Sequence, residues 1–400
     1  MNNMKIGIWY LESTNAQGES INRENYQLIE KLADLSGAKL EIVEVDKLHE
    51  YDLTMIFVGG GGVEGRFLKI ADKLPQPVFL LTSGANNSLA ASMEILSYMR
   101  QNDIPGEIIH GSETYMAERI KSLYKVFKAK KRLNSFRLGR VGVPSDWLIS
   151  SDVDADLSKE INGIEIIDIK MEEFFNEIKR KEYEDNSFTL EFKKNPFDEK
   201  EKELALEIYG ALKRIVDKYQ LDGVTVRCFD LLKPVKSTGC VALAILNAEG
   251  IYAACEGDVP ALISMAVLGE LTGEPCFQAN PSKILTDTNE IIFAHCTLPV
   301  NMYDSVELMT HYESGLGVSF RGHIREGEVT VFKTDGLAQR DFVSGGILEE
   351  NLNQYNLCRT QIKLKMEESV EYFLKESIGN HHIIIKGDYV DLINEFYRWF

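Results

Sequence analysis

Apolar residues fall in two rhythms along this chain. In the first third, short continuous apolar runs alternate with stretches of helical spacing. Residues 5–10 (KIGIWY), 39–45 (KLEIVEV), 53–58 (LTMIFV) and 77–82 (PVFLLT) read as strands, with a short fifth at 107–110. Residues 22–35 place Leu28, Ile29, Leu32 and Leu35 on one helical stripe, and Gly37 follows as a stop. Residues 65–74, 88–101 and 113–134 read as further helices. This alternation predicts an open, mostly parallel sheet.

A second α/β unit follows from about Ser135. Strands are predicted at 137–143, 164–169, 223–229 and 290–295, and helices at 171–181, 204–219 and 261–271. Residues 242–246 and 252–255 are short apolar runs. The charged stretch 182–202 reads as a surface excursion. After Pro299 the texture changes to short β-type segments separated by glycines (306–310, 317–321, 328–333), then a strand at 383–386 and a helix at 389–400. The expected class is therefore α/β. Two open parallel-sheet domains of Rossmann-like or flavodoxin-like style span 1–135 and 136–299, and a mostly β domain ending in a helix spans 300–400.

Composition narrows the function. The 400 residues are 44% apolar and 26% charged, within the globular range. Lys and Arg number 44 against 62 Asp and Glu, a net charge of −18 that disfavours a nucleic-acid partner. No stretch is long and apolar enough to span a membrane, and residues 1–7 lack the apolar core of a signal peptide. Six cysteines without a CxxC pair suit a reduced, cytoplasmic protein. The lysines at the end of the 113–134 helix complement its dipole and read as a solvated end.

Several segments carry candidate chemistry. Gly59–Gly62 follows a strand, either as an anion-binding loop or as a permissive turn; it fits neither dinucleotide nor Walker spacing. Thr82–Ser88 holds an equivalent place, with Ser88 a possible helix cap. The richest segment is Cys255-Glu256-Gly257-Asp258-Val259-Pro260, which sets two carboxylates between apolar runs. Asp258 reads as a helix cap or a functional acid, whereas Glu256 has no capping role. Asn280 and His295 sit at predicted strand ends, where open α/β sheets bind ligands. Asn380, His381 and His382 precede the last strand. The adjacent histidines point to opposite faces there, so one at most faces a given site. An O- and N-rich set of this kind suits Mn²⁺, Mg²⁺ or Co²⁺ better than structural zinc.

These motifs resemble the L-fucose/L-arabinose isomerase superfamily, in particular its short fucose-isomerase-like branch. The resemblance runs from about Arg227 to Pro299, strongest at Ala254–Asp258, Thr272–Pro275, Phe277–Pro281 and His295–Cys296, with the terminal Asn380–His382 added. It implies an aldose–ketose isomerase holding a divalent metal, Mn²⁺ foremost, and moving a proton between C1 and C2 of a sugar. Glu256 takes the place of the metal-binding acid/base. Asn280 falls where a second carboxylate ligand is expected, a departure that removes a charge. His295 and one of His381 and His382 take the remaining ligand places. Asp258, Asp230 or a histidine would act as second acid/base, and Asp230, Asn380 and Arg227 would meet the substrate. The resemblance also implies a homo-oligomer with a shared site. The alternatives are a sugar-binding protein in which Asn280 and Asn380 bond hydroxyls, and a lyase-type enolising enzyme with Arg227 or Arg321 holding a phosphate.

Overall fold

The computed structural model describes residues 5–13 and 18–400. Met1–Met4, which enter the signal-peptide reading above, lie outside the described residues. The chain forms two compact units: one ends at Lys131 and includes Glu395–Phe400, and the other is Arg132–Asn394.

The first unit is a five-stranded parallel sheet. Its order is Lys39–Ile42, Lys5–Leu11, Leu53–Val58, Val78–Leu81 and Gly106–Ile109. The strands are continuous apolar runs because helices cover both faces. Arg119 pairs with both Glu107 and Glu395, tying the chain's end to this unit. The expected helix at 65–74 is shorter: it spans Glu64–Leu68, and a single 3₁₀ turn follows at Ala71–Lys73.

The second unit begins with a four-stranded parallel sheet ordered Glu165–Ile169, Arg137–Val141, Gly223–Val226 and Tyr252–Cys255. The strand order reverses between Arg137–Val141 and Gly223–Val226, so the loops after those strands open a crevice at the sheet's carboxyl edge. The apolar run at 242–246 belongs to the helix Cys240–Ala248, buried on every side. The supposed surface excursion at 182–202 holds the helix Ser187–Lys194. Asn186 and Thr189 form its capping box, and Phe192 anchors it in the core.

The antiparallel part starts at Phe277, ahead of the change in texture at Pro299. Six strands close into a barrel in the order Phe277–Leu285, Glu290–His295, Thr360–Met366, Asp341–Asn351, Gly327–Thr334 and His382–Lys386, the last pairing back to the first. Phe277, Ala279, Phe293, Val331, Leu348, Ile362 and Ile384 fill its core. Asp341–Asn351 and Thr360–Met366 were not anticipated from the sequence, although TQIKLKM alternates apolar and polar residues. The chain is thus α/β, with two parallel sheets and a mostly β C-terminal part. Among the described residues no helix is long and apolar enough to cross a membrane.

One helix positions the site. Val259–Thr272 packs against the strand Tyr252–Cys255 and against the barrel strands Gly327–Thr334 and His382–Lys386. Covered from both sides, it is apolar all round, as such a helix must be. Ser264 Oγ donates to Pro260 O at 2.7 Å and accepts from Thr334 N at 3.0 Å, fixing the helix against the barrel.

Candidate active site

The strand Tyr252–Cys255 ends in a tight turn. Glu256 has φ +66° and Gly257 φ +74°. A left-handed backbone is costly for a glutamate, and such strain persists only where its surroundings enforce it. Three contacts do so. Ser145 N donates to Glu256 O at 2.9 Å, and Gly257 N donates to Val226 O at 3.0 Å. A Cβ at Gly257 would meet Val143 O at 2.7 Å, so only glycine fits beneath the loop after Arg137–Val141. The turn thereby aims the Glu256 side chain out of the sheet's carboxyl edge.

Asp258 then caps the helix, its Oδ1 accepting from Ala261 N at 2.9 Å, with Pro260 in the first turn. Its other oxygen, Oδ2, lies 2.8 Å from His381 Nδ1. Lys333 Nζ stands 3.9 Å from Oδ1. With 1% exposure and both oxygens engaged, Asp258 faces His381. Asp258 thus stands behind His381 as well as capping the helix.

The barrel register separates the paired histidines. Ala279 lies opposite His382, and both Ala279 and Ile384 belong to the barrel's core. By the pleat, His382 points inward and His381 outward, toward the Glu256 turn. His382 is bonded at both nitrogens, Nδ1 to Asn380 O at 3.0 Å and Nε2 to Tyr372 OH at 3.1 Å. Burial holds it neutral, pushed down to about 3. Of the two adjacent histidines, His381 thus faces Glu256 and His382 is held by Asn380 and Tyr372.

Among the described residues, Glu256, His295 and His381 form the group of His, Cys, Asp or Glu donors that meet, their atoms within 4.8 Å of one another. His381 Nε2 is buried without a hydrogen bond, 3.7 Å from Glu256 Oε1. His295 Nδ1 is taken by Thr297 Oγ1 at 2.8 Å. The ring centroids of His295 and His381 lie 5.4 Å apart. Burial and the charge of His381 push His295 down to about 3, so it is neutral. Burial alone would lower His381, yet the Asp258 and Glu256 carboxylates lift it to about 9. Burial alone would raise Glu256, yet the His381 cation and the Trp147 N–H hold it at about 2. The proton of this pair therefore rests on His381 and not on Glu256.

Trp147 escaped the sequence reading. Its Nε1 donates to Glu256 Oε2 at 2.6 Å. Phe229 packs edge-on against Trp147 and against His311, so an aromatic wall flanks the carboxylate. Arg227 donates to Pro144 O and pairs with Asp146 (2.9 Å) and Asp230 (3.1 Å). Arg227 and Asp230 thus brace the Trp147 loop against the turn at Cys228–Leu231. Asn280 Oδ1 accepts from Asn380 Nδ2 at 3.0 Å, so the two carboxamides hold each other at the barrel rim. Arg321 pairs with Glu307 in the small hairpin Ser305–Met309/Ser319–His323.

The other loops singled out in the sequence hold local hydrogen bonds. In the Gly-rich loop, Gly59 N bonds Leu11 O and Gly61 N bonds Asn86 O. Ser88 accepts from Thr82 Oγ1 and opens its helix without capping it. Five of the six cysteines are buried and all are free, with Cys228 and Cys255 Sγ atoms 2.9 Å apart.

The site thus brings a carboxylate from the parallel sheet's carboxyl edge to two imidazoles from the barrel. No protein-family profile matches the chain. It is similar to a sulfoquinovose isomerase of Alkalicoccus urumqiensis, 21% identical over 333 residues, covering 78% of this chain and 75% of that protein. It is likewise similar to a sulfoquinovose isomerase of Priestia aryabhattai, 23% identical over 331 residues, covering 77% and 73%. These relatives support a sugar isomerase, and do not single out the fucose and arabinose enzymes.

Proposed function

We propose that the chain is a metal-dependent aldose–ketose isomerase that moves a proton between C1 and C2 of an open-chain sugar through an enediolate. The convergence of Glu256, His295 and His381, with His381 Nε2 left bare in the interior, carries this reading. A buried nitrogen left without a hydrogen bond is costly unless something binds it. Glu256, His295 and His381 would hold the ion. Two imidazoles beside one carboxylate favour Mn²⁺ or Co²⁺ over Mg²⁺. When bound, the ion supplies the positive charge that an enediolate needs.

Glu256 takes the C2 proton and returns it to C1. Trp147 fixes the carboxylate's orientation, and the strained turn holds its backbone. Asp258 acts through His381: it keeps the proton on Nδ1 and the lone pair on Nε2. Asn280 and Asn380 stand at the rim with amide groups suited to sugar hydroxyls, and Arg227 and Asp230 hold the loop that carries Trp147. The names of the relatives make sulfoquinovose the first substrate to try, followed by L-fucose, D-arabinose and L-arabinose. The free cysteines support a reducing, cytoplasmic setting. The resemblance to oligomeric isomerases extends the proposal to a homo-oligomer.

The test begins with metal-stripped protein. Mn²⁺ or Co²⁺ at saturation should raise the thermal midpoint by ligand linkage. Ketose should then form from one of the four sugars, and Glu256→Gln should abolish it while keeping the fold. The absence of any midpoint shift with Mn²⁺, Co²⁺ or Mg²⁺ overturns the metal site. A shift without ketose formation from any sugar overturns the isomerase.

A further inference from the structure

Lys333 is a charged side chain near the site that neither the sequence reading nor the proposed reaction uses. It lies near the end of the strand Gly327–Thr334 and is 1% exposed. Its neighbour Thr334 is pinned by Ser264 Oγ, and Gly379 packs near its Cε. Burying an ammonium is among the more expensive things a protein does, and it persists where a charge partner is at hand. That partner is Asp258 Oδ1 at 3.9 Å. The distance is informative. A charge-assisted hydrogen bond closes to about 2.8 Å. Here Oδ1 already accepts from Ala261 N, so Lys333 acts on Asp258 as a charge across a gap. The other nearby carboxylate, Asp335, is paired with Arg340.

We propose that Lys333 is a positioning residue of the site. Its ammonium draws charge from Asp258, and so limits how strongly His381 donates to a bound divalent ion. The inference rests on reading Glu256, His295 and His381 as the metal site. A carboxylate behind a ligating imidazole makes that imidazole a stronger donor. A fixed cation behind the carboxylate opposes this. With Lys333 in place, two carboxylates and one ammonium leave the donor set one net negative charge. A divalent ion then retains one net positive charge, the complement of a singly charged enediolate. Without the ammonium the count falls to zero, and the ion is held more tightly while stabilising the enediolate less.

The consequence is a pair of opposite effects. A purely structural lysine, once removed, would weaken both metal binding and turnover. An electrostatic one, once removed, tightens metal binding and slows turnover. Lys333→Met and Lys333→Gln keep much of the stem without the charge, and Lys333→Arg keeps the charge.

The experiment titrates metal-stripped protein with Mn²⁺ under anaerobic conditions at pH 8.5, reading free Mn²⁺ by electron paramagnetic resonance, alongside kcat and KM on the sugar that wild type converts. The neutral variants should bind Mn²⁺ ~10-fold more tightly while kcat falls ~10-fold or more and KM changes little, and Lys333→Arg should stay near wild type in both. Unchanged or weaker Mn²⁺ binding in a folded neutral variant overturns the proposal. So does failure of both neutral variants to give a native near-ultraviolet circular dichroism spectrum, since the ammonium is then structural. If wild type itself binds no Mn²⁺, the metal-site reading fails first and this inference falls with it. Wild-type binding with unaltered variants sinks only the role of Lys333.

Discussion

Trp147 and Glu256 are 109 residues apart in the chain and share a 2.6 Å hydrogen bond. The tryptophan comes from the loop after one parallel strand and the glutamate from the turn after another, on opposite sides of the Gly223–Val226 strand. The bond therefore exists only once the sheet has formed. It orients one carboxylate oxygen and leaves the other toward His381.

Trp147→Phe should keep the aromatic contact with Phe229 and lose the N–H. A hydrogen bond to a charged group is worth about 1.5–3 kcal/mol, so kcat should fall roughly 10- to 100-fold, with little change in thermal midpoint. Steady-state kinetics beside a melting curve would check this. A variant with wild-type kcat would remove Trp147 from the mechanism.

The adjacent histidines should separate cleanly. His381→Gln removes a bare donor nitrogen, and Mn²⁺ affinity should drop about 100-fold. His382→Phe keeps a ring inside the barrel but strands Asn380 O and Tyr372 OH. It should cost about 1–3 kcal/mol of stability and leave metal binding intact. Calorimetric Mn²⁺ titration of both variants decides; equal losses of affinity would contradict the opposite facing of the two rings.

Much of this was legible in the sequence. Parallel strands announce themselves as unbroken apolar runs, and 53–58 was readable to within a residue; 290–295 was equally readable, although it proves to be an antiparallel barrel strand. Glu256 stood out because a carboxylate between apolar runs needs a reason. What stayed hidden depends on long-range register. Lys333 sits in GEVTVFKT, where a lysine looks like an ordinary outward residue. Nothing local shows that Asp258 waits across the barrel's mouth. His381 and His382 could not be ranked until Ala279 was placed opposite His382. Asn186 and Thr189 hid a helix because charged neighbours outnumbered the aromatic anchors around them.

Asp258→Asn should separate orientation from catalysis. The amide still accepts from Ala261 N, so the helix cap survives. What is lost is the charge on His381 Nδ1–H. Mn²⁺ affinity should fall 10- to 100-fold, and saturating Mn²⁺ should restore a measurable part of kcat. A variant that binds Mn²⁺ normally yet has no activity would instead return Asp258 to the role of a substrate-facing acid.

The last prediction concerns pH. In the metal-free protein Asp258 and Glu256 lift His381 to about 9 from an ordinary 6.5. A raised folded-state pKa means that the native state binds a proton the unfolded chain has released. Its stabilising contribution is thus complete below pH 6.5 and disappears as pH rises through 9. Glu256, held at about 2, works in the opposite sense, contributing above pH 4.5 and fading only as pH falls toward 2. His295 and His382, pushed down to about 3, bind protons below pH 6.5 only when the chain unfolds, so the metal-free protein should melt highest near pH 6.5, and its midpoint should decline toward pH 9. Saturating Mn²⁺ should flatten or reverse that decline, because a bound ion takes the place of the His381 proton and releases it. Melting curves across pH 5–9, with and without Mn²⁺, make the comparison, and His381→Gln supplies the control whose metal-free midpoint should lose the slope. A metal-free midpoint that rises toward pH 9 would show that His381 is neutral in the native state and that the proton rests elsewhere.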